Sequence, residues 1–195
     1  LAILPAHAAE DIPRIEFTKI VTPLDPNTGG VISVCIAVSG HGQQDLDLVL
    51  AQDVSTSMGQ PADGGKTRLE ACKDAAGTIV DSLPARDRIA VVAYNRAAGV
   101  AHGLTTDRAA IGQTIQGLGI TVSGTNIGEA ISTSHHLLLH SPEALPNKLK
   151  TIVLLTDGFA SCDEDRICTD ENDLVILARA REYARAQAAL AAEDA

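Results

Sequence analysis

The chain has 195 residues, with 15 Lys and Arg against 25 Asp and Glu for a formal charge of −10, and 45% of it is hydrophobic. That length and apolar share support one α/β domain with an appended segment and a full core. The acidic balance and the 2% aromatic content exclude the usual nucleic-acid and anionic-membrane surfaces, which need Lys and Arg clusters or stacking rings, and favour a cation or a basic partner.

Residues 1–9, LAILPAHAA, join an apolar run to a small-x-small pattern, as expected of a signal-peptide remnant. No other segment is long and apolar enough to insert in a membrane. Residues 10–44 hold IEFTKIV and GVISVCIAV, two strand-like runs separated by the turn-rich TPLDPNTGG. They read as a short β-segment of an accessory unit.

From residue 45 onward, strands alternate with helical patterns. Residues 46–52 form a short apolar run of strand type, and 67–83 place apolar residues at 69, 72, 76, 79, 80 and 83 before Pro84 stops the helix. RIAVVAY at 88–94 is a second strand and 99–104 a short edge strand. Asp107 caps a helix to about residue 118, the Gly-rich GITVSGTN leads into a helix at 127–140, and KTIVLLT at 150–156 is the third strong strand. After the acidic loop SCDEDRICTDEND, an Ala- and Arg-rich helix runs over 173–192. This order predicts a Rossmann-like, doubly wound, mostly parallel sheet with helices on both faces.

In such a sheet ligands gather beyond the carboxyl ends of the strands. Three oxygen-bearing clusters fall there: Asp53, Ser55 and Ser57 in DVSTS after the first strand, Thr125 and Asn126 before a helix, and Asp157 after the third strong strand. Five of these side chains, Asp53, Ser55, Ser57, Thr125 and Asp157, bring oxygens from three loops, which suits one small hard cation with a position left for water or a partner's carboxylate. Hydroxyls in place of further carboxylates leave such a cation electrophilic.

DVSTS, GTN and TDG, in this order and on these elements, resemble the metal-ion-dependent adhesion site of the von Willebrand factor A domain family, and the match spans about residues 45–192. The resemblance implies that Asp53, Ser55, Ser57, Thr125 and Asp157 hold Mg²⁺, with Mn²⁺ or Ca²⁺ as substitutes. It implies a secreted or cell-surface domain that binds a Glu or Asp of a protein ligand through the metal, and not an enzyme. It also implies a further strand and helix beyond residue 192, so that the domain at 45–195 is expected to be incomplete at its C-terminal side. An alternative within the family is an intracellular docking subunit of an ATP-driven assembly such as a metal chelatase.

The acidic loop carries Asp163, Asp165 and Asp170, candidates for a second cation site or for an electrostatic rim beside Asp157. Cys162 and Cys168, with five residues between them, are expected to bridge and tie that loop, while Cys72 lies on the apolar helix face and its pairing with Cys35 stays open. His135, His136 and His140 lack the Glu of a hydrolytic zinc helix, and the glycines at 117, 119, 124 and 128 match no phosphate-binding loop. No nucleophile elbow or general base is evident.

Overall fold

Nearly every residue of the first strand, LDLVLAQD, is buried, because strands flank it on both edges and helices cover both faces of the sheet. The computed structural model describes residues 45–142, 145, 148–158, 160–169 and 173–193. The expected signal-peptide remnant, the β-segment at 10–44, Cys35 and Asp170 lie outside the described residues.

Strand β1 (Leu46–Asp53) leads through a 3₁₀ turn at Thr56–Gly59 to α1 (Arg68–Ser82), β2 (Arg88–Tyr94), β3 (Ala98–Thr105), α2 (Arg108–Gly117), α3 (Ile127–His140), β4 (Leu149–Leu155) and α4 (Leu174–Glu193). The described sheet has the order β3-β2-β1-β4. β1 pairs in parallel with both β2 and β4, while β3 runs antiparallel to β2. This is the mostly parallel α/β architecture expected from the alternation of strand and helix patterns.

Period-two alternation along β1 sends two sets of side chains into two cores. Leu48 and Leu50 meet Ala76 and Val80 of α1 and Ile111 and Ile115 of α2. Val49 and Ala51 meet Ala130, Leu137 and Leu138 of α3. The helices start where local chemistry directs. Thr67 and Glu70 form a reciprocal capping box before α1, Asp107 accepts from the Ala110 N–H before α2, and Asn126 accepts from the Glu129 N–H before α3.

One charged residue interrupts this pattern. Asp47 is fully buried in β1, opposite Arg88 of β2 on one side and Lys150 of β4 on the other. Arg88 donates Nε and Nη2 to its two carboxylate oxygens at 2.8 and 2.6 Å, and the Lys150 ammonium lies 3.5 Å away. One carboxylate thus ties three strands at the end of the sheet opposite the candidate site. Among the described residues, no helix is long and apolar enough to cross a membrane.

Candidate functional site

The parallel strands β1 and β4 end side by side, so the segments leaving them converge at one sheet edge. β1 ends at Asp53, which is fully buried. Its Oδ1 accepts the Ser55 N–H at 2.9 Å and its Oδ2 the Thr156 hydroxyl at 2.8 Å. Burial pushes the Asp53 carboxyl above the usual carboxylate range, against the pull of the hydrogen bonds from Ser55 and Thr156, and the nearby charge of Asp157 pushes it the same way.

The hydroxyls continue the cluster. Ser55 and Ser57 place their Oγ atoms 3.0 Å apart, and the Ser57 hydroxyl donates to Asp157 Oδ1 at 3.0 Å. Thr125 Oγ1 lies 3.4 Å from Ser55 Oγ. The structure therefore joins all five sequence-predicted residues, through the Ser55 N–H in the case of Asp53, although Ser57 and Asp157 are 100 positions apart in sequence. The free oxygen of Asp157 is taken by a residue that motif reading passed over: the Arg68 guanidinium donates to Oδ2 at 2.5 Å.

Thr125 is positioned from outside its own loop. Its carbonyl accepts the Ser161 N–H at 2.9 Å and its N–H donates to Ser161 Oγ at 2.9 Å. Ser161 opens a short hairpin closed by the Cys162–Cys168 disulfide, as expected from the sequence. That bridge lies directly against Gly124, where φ is +106° and a Cβ would meet both sulfurs at 2.8 Å, so only glycine fits both the backbone and the space. Asn126, fully buried, donates to the carbonyls of Arg96 and Asp163 and so joins the β2–β3 turn to the hairpin.

Two of the hairpin acids, Asp163 and Asp165, are engaged within the protein. Asp163 is buried, and its Oδ1 accepts the N–H groups of Asp165 and Ile167 at 3.1 and 3.0 Å. The Arg179 guanidinium of α4 lies 3.1 Å from both Asp163 and Asp165. Asp163 thus shapes the hairpin, Arg179 faces the two carboxylates of this rim, and Arg166 is paired with Glu129 of α3. Cys72 carries a free thiol, which burial pushes up in pKa. Among the described residues, no three His, Cys, Asp or Glu side chains cluster as a metal site, so the candidate donor set is two carboxylates with three hydroxyls.

Converting Cys162 and Cys168 together to Ser should lower the urea unfolding free energy by about 2 kcal/mol, the loop-closure entropy of a ring this short. The loss should be accompanied by faster amide exchange at Thr125, whose N–H depends on Ser161. Unchanged stability would show that the hairpin is held by its backbone bonds alone.

A family model described as von Willebrand factor type A domain matches residues 48–159. An uncharacterized protein of Borreliella burgdorferi is 33% identical over 126 residues, which is 64% of this chain and 36% of that protein. Among solved structures, the PilB minor pilin of Streptococcus sanguinis superposes with a TM-score of 0.62 at 17% identity, covering 75% of this chain and 47% of that one. The vWF domain of the type V pili tip protein Mfa5 from Porphyromonas gingivalis superposes with a TM-score of 0.50 at 24% identity, covering 62% and 40%. The chain thus spans less than half the length of each of these proteins, and at these identities the solved structures show a shared fold.

Proposed function

We propose, from the premise that the chain belongs to the von Willebrand factor type A domain family, that its α/β domain is a protein-binding module. In this reading Asp53, Ser55, Ser57, Thr125 and Asp157 hold one divalent cation, Mg²⁺ with Mn²⁺ or Ca²⁺ as substitutes, and a Glu or Asp of a protein ligand completes its shell. When bound, the cation supplies a Lewis-acidic position for that carboxylate.

The observation that carries the reading is the spacing of the oxygens. Neighbouring ligands of an octahedral Mg²⁺ at 2.0–2.1 Å stand about 2.9 Å apart. The Ser55–Ser57 and Ser57–Asp157 separations are both 3.0 Å, and Thr125–Ser55 is 3.4 Å. Hydrogen bonds between the hydroxyls hold the donors near that spacing. Asp53, with both oxygens committed to Ser55 and Thr156, contributes charge and fixes the Ser55 backbone. Asp157 contributes charge and an oxygen at the cluster itself.

The chemistry favours binding over turnover, because no unpartnered base stands beside the cluster in the described residues to activate water. The Cys162–Cys168 disulfide supports an oxidising compartment, and hence a secreted or surface-displayed protein. The likeness of fold to a pilus tip protein and a minor pilin is in keeping with that placement.

Melting the chain in EDTA and in Mg²⁺ or Mn²⁺ tests the reading. At a cation concentration about 100 times the dissociation constant, the native state should gain about 2.7 kcal/mol, seen as a rise in Tm. Asp157→Ala and Thr125→Ala should each keep a cooperative melt and lose that rise. An equal rise in the wild type and both variants would put the cation elsewhere.

A further inference from the structure

The strongest feature at the site that the five-residue motif does not account for is Arg68. It is the first residue of α1, where the helix dipole disfavours a cation. Its backbone is fixed there by the capping box of Thr67 and Glu70 and by its own N–H, which donates to the Gln60 carbonyl at 3.0 Å. From that anchor the side chain reaches Asp157, 89 positions away, and lies 24% exposed against a carboxylate that is 4% exposed. No local helix chemistry accounts for this arrangement; the pairing with Asp157 does.

The pair has two consequences. Asp157 has both oxygens occupied, Oδ1 by the Ser57 hydroxyl and Oδ2 by Arg68, so a divalent cation at the cluster must share or displace protein donors to use this carboxylate. With Asp53 and Asp157 ionised and Arg68 charged, the cluster carries one net negative charge; a divalent cation turns it to one net positive charge. That remaining charge is what draws a third carboxylate from outside.

We propose that Arg68 is the specificity-determining residue of this site: a built-in cation that competes with the metal for Asp157, weakens its binding, and keeps the loaded site cationic toward an acidic partner. The inference rests on the cation-binding reading above. Arg68 acts through Asp157 and contributes no oxygen to the cluster, so its effect on metal affinity runs opposite to that of every proposed ligand. Loss of a ligand weakens the metal, whereas loss of Arg68 strengthens it.

The test is a titration of Mn²⁺ alone, followed by the loss of the free-ion EPR signal, on the full chain and on Arg68→Gln, Arg68→Met and Arg68→Lys. Arg68→Gln and Arg68→Met should bind Mn²⁺ roughly tenfold more tightly than the wild type, and Arg68→Lys, which keeps the charge, should stay within about threefold of it. In EDTA the Gln and Met variants should melt no higher than the wild type, since they lose the ion pair; a structural role alone would lower Tm without raising affinity. Cooperative melts with unchanged or weaker Mn²⁺ binding in the Gln and Met variants would overturn the role of Arg68 and leave the cation site standing. Absence of Mn²⁺ binding in the wild type and all three variants would overturn both.

Discussion

Asp47→Ala should lower the unfolding free energy by about 3 kcal/mol, because it takes away a buried partner without removing the cations that partner neutralises. The carboxylate is fully buried, and the side chains it meets, Arg88 and Lys150, are themselves only 13% and 15% exposed. Arg88 grips both oxygens in a planar, two-bond arrangement, which is the strong form of this interaction. Because Asp47 pairs in register with β2 on one side and β4 on the other, its loss loosens two strand pairs at once. Asp47→Asn keeps the shape and one acceptor and should lose less. Urea unfolding of the two variants measures this directly; a loss under about 1 kcal/mol for Asp47→Ala would show that the three-strand clamp adds little.

Gly128→Ala should cost about 3 kcal/mol even though alanine is the better helix former. Gly128 lies in the first turn of α3, and a Cβ there would come within 2.2, 2.5 and 2.8 Å of Cδ1, Cε1 and Cγ of Tyr183. Those are ring atoms, not the free end of a flexible chain, so the aromatic side chain must leave or α4 must shift from α3. The pair can be separated by a double-mutant cycle with Tyr183→Ala. In the Tyr183→Ala background the added methyl should turn neutral or stabilising, by up to about 1 kcal/mol of helix propensity. Equal costs in both backgrounds would place the strain somewhere other than the Tyr183 ring.

The elements were legible because their signals are local. LVLA, RIAVVAY and KTIVLL are apolar runs of strand length, and Asp107, read as a cap, stands at the start of α2; Thr67 and Asn126 cap α1 and α3 in the same way in the structure. The candidate site was legible for a topological reason: segments that leave parallel strands at the same edge must meet, so DVSTS and TDG could be placed together without coordinates. The pairings across elements were not legible. Asp47 reads as one polar residue in an apolar strand until register sets it between Arg88 and Lys150. Arg68 reads as a helix-surface residue, although its place at the first helical position, against the dipole, is a signal that could have drawn notice. Asp163 reads as one acid among several in a polar loop, and only the folded hairpin shows it buried and accepting backbone N–H groups. Spacing in sequence reports periodicity and caps; it does not report which side chains meet after the sheet has set its register.

The pairing of Leu46 with Leu149 and the bond from Ser57 to Asp157 also bear on the order of events during folding. The oxygen cluster does not exist in any partial structure made of β1, α1 and β2, since Asp157 arrives only when the chain has closed a loop of about one hundred residues, the slow, entropically costly kind of contact. Under the proposed reading, a cation therefore has no template role for the nascent chain. It rewards only the finished molecule, and its contribution falls on the barrier to unfolding, where it acts as a lock on a sheet already assembled.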